Sequence, residues 1–236
     1  MITLAFDGTA KIATVAVVDG DRALSSFTVD NGLTQSELLL PMAEDMLRAL
    51  KLTFDDVELY AVSAGPGSFT GVRIGVSLIK GLAFGKSKPC IEVSTLEALA
   101  ENLRGLDGIL VPCMDARRSQ VYNALFSSVG ERITRLCEDR AIALSALAEE
   151  LKEFKDKKIY ISGDGYGVTK DTLASLGVNS ESTPLLLRDE SAVSVARVGI
   201  RKFLLGEHKT DSELSPVYLR LPQAERERLE KEGKKV

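Results

Sequence analysis

The apolar runs of this chain spell one succession twice, and that repetition limits the fold more than any other feature. In the first hundred residues, extended runs at 2–6, 12–18 and 23–29 are rich in β-branched and apolar residues, with an Asp19-Gly20 turn between the second and third. A helix opens at Thr34-Gln35-Ser36-Glu37, where a hydroxyl followed three residues later by Glu fits a capping box. Leu39, Met42, Ala43, Met46 and Leu50 recur along it at helical spacing. A run at 59–63, a glycine-rich turn, a helix over 72–84, a run at 89–93 and a helix capped by Ser94-Thr95-Leu96-Glu97 follow. The order is βββαβαβα. It returns as extended runs at 109–114, 120–126 and 132–137, a helix over 145–154, a run at 158–162, a helix over 168–176, a short apolar run at 185–187 and a helix over 191–205. Such an order predicts an α/β protein with mixed sheets covered by helices, divided as a first lobe (1–105), a second lobe with the C-terminal helix (106–220) and a charged, flexible tail (221–236).

Composition removes several classes of function. A net charge of −4 argues against a protein that grips nucleic acid unaided, because such proteins need a basic surface to displace counterions from phosphate. Arg117-Arg118 and residues 155–158 are local basic groups, and both read as solvated surface charge. His208 is the one histidine, so metal sites built from paired histidines are ruled out, and a Ser-His-Asp arrangement would have to use a polar loop with no strained nucleophile turn near it. Cys90, Cys113 and Cys137 are widely spaced and form no C-x-x-C pair, which predicts buried thiols in a reducing compartment. The N-terminus starts directly as a strand and no apolar run reaches the roughly 18–20 residues that span a bilayer, so a soluble, cytoplasmic protein without membrane contact is expected.

Three motifs invite a functional reading. The loop Gly65-Pro66-Gly67-Ser68-Phe69-Thr70-Gly71 resembles a phosphate cradle but ends in Val72-Arg73, without the Lys-Ser/Thr of a P-loop, and reads as a tight strand-to-helix turn. Gly71, Gly75 and Gly81 then lie in or beside the following helix, each costing about 1 kcal/mol against Ala, which suggests close approach of another backbone. Leu38, Leu39, Met42, Ala43 and Met46 on the first helix, with Gly71, Val72, Gly75, Val76 and Ile79 on the second, carry more apolar surface than one buried face needs, and are candidates for a protein–protein interface. Asp7, Gly8 and Thr9, after the first strand, are the candidates for contact with a nucleotide phosphate and magnesium; Asp115 and Asp164 stand at corresponding places in the second half. Asp in a turn also commonly caps the amides that follow it. No catalytic residue, metal ligand set or cofactor site is assigned from these residues.

The segment Ala64-Gly65-Pro66-Gly67-Ser68-Phe69-Thr70-Gly71-Val72-Arg73-Ile74-Gly75 resembles the TsaB (YeaZ) family closely. Leu4-Ala5-Phe6-Asp7-Gly8-Thr9, Ser36-Glu37-Leu38-Leu39-Leu40-Pro41-Met42, Gly81-Leu82-Ala83-Phe84, Val93-Ser94-Thr95-Leu96, Met114-Asp115-Ala116-Arg117 and Pro216-Val217-Tyr218-Leu219-Arg220 are similar to it in order and spacing. The resemblance implies two RNase H-like lobes of the actin/Hsp70/sugar-kinase (ASKHA) superfamily. It also implies a non-catalytic subunit that pairs through its first two helices with a TsaD-type catalytic subunit. A TsaE-type ATPase joins that pair, and the assembly threonylcarbamoylates a tRNA adenosine beside the anticodon, so tRNA is met only through the complex. Gln35 departs from the His that relatives often carry before the Ser-Glu of the first helix. A homodimer through the same helices is the alternative in the partner's absence. A small-molecule ATP-dependent kinase of the same fold is the competing enzyme reading, and a peptidase is disfavoured for want of a histidine partner.

Overall fold

The computed structural model describes residues 1–220, so the charged tail at 221–236 lies outside the described residues. Its first sheet comprises β1 (Ile2–Asp7), β2 (Ala13–Asp19), β3 (Arg22–Val29), β4 (Leu59–Gly65) and β5 (Cys90–Ser94), in the order β3-β2-β1-β4-β5. The first three strands run antiparallel, while β4 and β5 run parallel to β1. Strands β1, β2 and β4 are buried on both faces, which is why they read as unbroken apolar runs and not as alternating ones.

Two helices cover one face. In α1 (Gln35–Ala49) the capping box forms as the sequence predicts: the Thr34 side chain takes the backbone of Glu37 and the Glu37 carboxylate takes the Thr34 backbone N–H at 2.9 Å. Helix α2 (Phe69–Ala83) begins three residues earlier than the pattern suggests, because the Ser68 hydroxyl accepts from the Gly71 N–H at 3.3 Å and caps it. Leu39, Met46, Val72 and Ile79 of these helices pack on Leu4, Phe6 and Val62 of the sheet.

The opposite face is covered by α6 (Ala192–Leu204), the C-terminal helix, whose Val195, Ala196 and Val198 lie against Ala5, Ala16, Leu59, Ala61 and Ile91. The sequence division assigns this helix to the second lobe; it packs instead on the first. Small residues make that contact close: a Cβ on Gly199 would sit 2.8 Å from the Cβ of Ala61. An uncovered face of Ala, Ile and Val on this mixed sheet would be costly, and α6 removes it from water.

The second sheet is built on β6 (Gly108–Asp115), with β11 (Ile159–Ser162) parallel to it. Where the sequence suggests one strand over 120–126, there are two, β7 (Gln120–Asn123) and β8 (Phe126–Val129). Both pair with the same edge of β6 in a single register, Cys113 opposite Asn123 and Leu110 opposite Phe126. The gap falls opposite Pro112, which has no N–H for the ladder. The buried Asn123 side chain fills in, its Nδ2 donating to the Pro112 carbonyl at 3.0 Å and the Ala124 carbonyl at 2.9 Å. The third run is the shorter β9 (Arg132–Arg135) on β8, and a strand the sequence reading lacks, β10 (Arg140–Ala143), pairs with β7.

Helices α4 (Leu144–Leu151) and α5 (Tyr166–Ser175) cover one face of this sheet. The other is covered by α3 (Thr95–Glu101), through Leu96 and Leu99 on Leu110, Met114 and Phe126. Helix α3, from the first half, thus serves the second sheet, while α6, from the second half, serves the first. The apolar run at 185–187 is not a fifth strand: Leu185–Leu187 is a 3-10 turn that leaves Leu186 94% exposed. A three-residue run led by Pro184, without an N–H to give, makes a poor edge strand. The chain is a duplicated α/β protein of RNase H-like lobes, and the second sheet has six strands where the first has five, with its second strand position split in two.

Candidate functional site

The junction of the lobes brings together the ends of β1, β6 and β11 and the start of α6. Asp7 ends β1 with 1% of its surface exposed. Its Oδ1 accepts from the Thr9 N–H at 2.8 Å and the Thr9 hydroxyl at 2.7 Å, and its Oδ2 accepts a short hydrogen bond from Ser63. Burial pushes its pKa up, against the pull of those three donors. The backbone around it is covered from two sides. A Cβ on Gly71 would run into the Gly8 carbonyl, and one on Gly67 would come within 2.5 Å of the Thr9 carbonyl, which also accepts from the Ser68 N–H at 2.6 Å. Gln35 closes the second side: its Nε2 donates to the Ala10 carbonyl at 2.9 Å, and a Cβ on Gly8 would be 2.8 Å from its Cγ. The glycine-rich loop is therefore a close-packed strand-to-helix turn seated on Asp7-Gly8-Thr9, and the candidate phosphate contacts are engaged by the chain itself.

Asp115 and Asp164 do meet. The Asp115 N–H donates to Asp164 Oδ1 at 2.9 Å, and Asp115 Oδ1 accepts from the Arg117 N–H at 2.7 Å. Burial, then the neighbouring Asp115, raises the pKa of Asp164, with hydrogen bonds and Lys11 opposing. Glu190, just before α6, joins this group, and the sequence reading does not single it out. It is 5% exposed, its Oε1 has no partner, and burial, followed by the charge of Asp7, holds its pKa well above the usual carboxylate range. Only its place beside an acidic neighbour ahead of a helix could have marked it. Among the described residues, no three His, Cys, Asp or Glu side chains lie together as a set that could hold a metal ion. His208 is exposed and tilts over the Phe203 ring at 5.5 Å, away from these carboxylates. Cys90 and Cys113 are buried thiols pushed up to about 12 by burial.

The candidate interface residues divide sharply. Leu39, Met42, Ala43, Met46, Gly71, Val72, Gly75, Val76 and Ile79 are all buried in the chain's own core, so they are not surface. The physical reason is that α1 and α2 lie side by side on one sheet, and the stripe that looks surplus is the one the sheet takes. Of the candidates, Leu38 alone is partly exposed. Beside it, Ile74, Leu78 and Leu82 form a row at four-residue spacing along α2, each packed on the core below and partly open above. Gly81, in the same row, has open space around it, and Phe84 beyond is 77% exposed. On α2 this open row is displaced by one residue from the predicted stripe.

Residues 34–227 match the family described as TsaD, tRNA N6-adenosine threonylcarbamoyltransferase. The chain is 31% identical to the tRNA threonylcarbamoyladenosine biosynthesis protein TsaB of Bacillus subtilis over 226 residues, 95% of this chain and 96% of that protein. Against TsaB of Escherichia coli the identity is 29% over 78% of this chain and 80% of the relative. Among solved structures, YeaZ from Pseudomonas aeruginosa superposes with a TM-score of 0.74 at 24% identity, covering 92% of this chain and 99% of that one.

Proposed function

Because this chain belongs to the TsaB (YeaZ) family, we propose that it is the non-catalytic subunit of a threonylcarbamoyladenosine-forming complex, carrying a TsaD-type catalytic subunit on the outer face of α1 and α2. The observation that carries this reading is the row Ile74, Leu78 and Leu82 with Leu38 beside it, an apolar ridge on two rigidly seated helices with an unobstructed glycine, Gly81, for close approach. Helices pack through such ridges at interaxial distances of roughly 8–10 Å, and small residues favour the shorter end. Support for a non-catalytic role comes from the close-packed β1–β2 turn: Asp7 is spent on Thr9 and Ser63, Gln35 holds the Ala10 carbonyl, and the loop before α2 lies on the Gly8 and Thr9 carbonyls. The chemistry then belongs to the partner, which supplies metal and nucleotide contacts. A TsaE-type ATPase joins the pair, tRNA is engaged through the assembly in the cytoplasm, and a homodimer through the same face forms when the partner is absent.

The test is a binding measurement between this chain and the TsaD homologue of the same organism, by size exclusion with light scattering. A one-to-one complex is expected, and Leu78→Asp abolishes it while the isolated chain still unfolds in one cooperative transition above the assay temperature. Placing an unpaired charge in the middle of an apolar contact costs about 2–4 kcal/mol, a 30- to 1000-fold loss of affinity. Absence of the complex, or tight magnesium-dependent ATP binding by the chain alone, overturns the reading.

A further inference from the structure

One guanidinium on the outer face of α2 is held by aromatic rings and not by a carboxylate. Arg104, Arg135, Arg140 and Arg201 all meet carboxylates within the chain. Arg73, exposed and one residue before Ile74, has no carboxylate at salt-bridge distance among the described residues, yet its side chain is firmly placed. Its Cζ lies 3.8 Å from the centroid of the Phe69 ring. The Tyr218 ring stacks on Phe69 with centroids 4.6 Å apart and an interplanar angle of 27°. Arg73 Nε donates to the Tyr218 hydroxyl at 2.7 Å, which spends one of the five N–H donors and fixes the plane of the group. The two terminal nitrogens keep the fork that matches a carboxylate bidentately.

Tyr218 is brought there by the segment after α6. The Lys209 N–H and carbonyl pair with Cys90 on the edge of β5, Leu214 is buried in the first-lobe core, and the Val217 N–H donates to the Ala64 carbonyl at 2.7 Å. A residue 145 positions away in sequence thus completes the seat of Arg73. The first turn of α2 contains no acidic residue, so no carboxylate there offsets the positive end of the helix dipole.

We propose that Arg73, held by Phe69 and Tyr218, is a preformed receptor for a carboxylate side chain of the TsaD-type partner, and that the segment ending in Tyr218 is therefore part of the docking surface. This rests on the reading above that the α1–α2 face binds that partner. Two observations select this occupant. The guanidinium is fixed, has no carboxylate at salt-bridge distance among the described residues, and flanks Ile74 at the N-terminal end of the apolar row, so a partner that covers this end of α2 meets it. One face of the group already lies on Phe69, which leaves the in-plane donors, and these recognise an anion and not another ring. Interface anchors of this type are enriched in Arg and Tyr, and a group ordered in advance loses little freedom on binding.

The experiment is isothermal titration of the full-length chain with the purified TsaD homologue at low and at high salt, using wild type, Arg73→Gln, Arg73→Lys, Tyr218→Phe and Leu78→Asp, each first shown to unfold in one cooperative transition above the assay temperature. Arg73→Gln is expected to weaken binding about tenfold and to remove most of the salt dependence of Kd, because the charged contact is gone. Arg73→Lys keeps the charge but not the fork and falls between the two. Tyr218→Phe keeps the stack, loses the hydrogen bond and weakens binding about threefold. If Leu78→Asp abolishes binding while Arg73→Gln and Arg73→Lys stay within twofold of wild type with unchanged salt dependence, the receptor is refuted and the interface stands. If Leu78→Asp binds like wild type, the interface reading itself fails.

Discussion

Glu190→Gln should make this protein more stable at neutral pH, because the side chain it replaces folds only in its neutral form. Glu190 is buried at the lobe junction with one oxygen unpartnered, and the negative groups facing it are Asp7, Asp164 and Asp189. Burial is the larger cause of its raised pKa and Asp7 the next. Its native state therefore keeps a proton that the unfolded chain releases above the ordinary value of 4.5. For a carboxyl raised on folding, the contribution is fully favourable below that ordinary value and is lost as pH climbs toward the native pKa. The slope is about 1.4 kcal/mol per pH unit while one proton separates the two states, so two pH units cost about 2.7 kcal/mol. For a domain of this size that amounts to a fall of about 5–10 °C in melting temperature. Glutamine keeps the shape, binds no proton and offers Asp7 an N–H donor. Melting curves of wild type and Glu190→Gln from pH 5 to pH 7 should nearly coincide at the acid end and separate steadily, with the variant higher at pH 7. Parallel curves, or a variant less stable than wild type throughout, would refute the claim that Glu190 is held protonated by burial beside Asp7.

Gly71→Ala should cost at least about 3 kcal/mol in urea unfolding, since the added methyl drives into the Gly8 carbonyl and backbone cannot yield as a side-chain tip can. Ile79→Ala should cost about 2–5 kcal/mol as a core truncation and leave affinity for the partner within a fewfold, the reverse of Leu78→Asp; a stable Ile79→Ala that fails to bind would put the interface back on the buried stripe. Cys90 and Cys113, pushed up to about 12, should resist alkylation at pH 8 in the native protein and react fully only after unfolding, as read by mass spectrometry.

The duplicated order of elements was legible because it rests on local signals that tertiary structure here respects: the Thr34 capping box, the Asp19-Gly20 turn and the unbroken apolar strands β1 and β4. What the pattern could not convey was which sheet a helix serves. Helix α6 follows the second lobe in the chain but finds its complement in Ala5, Ala16 and Ala61, a fit of small residues that only the packed structure displays. The same limit put core residues among the interface candidates. Val72, Val76 and Ile79 make the stronger apolar stripe of α2, and a periodic count ranks them first; yet the stripe facing the sheet is the strongest in any surface helix, and the weaker row Ile74, Leu78 and Leu82 is the one left in the open. Asp7 was found in place, but its sealing by Gln35 and Gly71 depends on approaches between segments far apart in sequence. Glu190 gave only the faint signal of an acidic pair ahead of a helix, because burial of a carboxylate is a property of its surroundings.

The central claim is that this chain carries the catalytic subunit and performs no chemistry itself. Its most direct test is mass-spectrometric measurement of threonylcarbamoyladenosine in tRNA incubated with the donor and ATP, in three reconstitutions containing the TsaE-type ATPase: with this chain alone, with the TsaD homologue alone, and with both. The account predicts modified nucleoside only with both, abolished by Leu78→Asp on this chain. Modification by this chain in the absence of the TsaD homologue, or full activity of that homologue without it, would contradict the account.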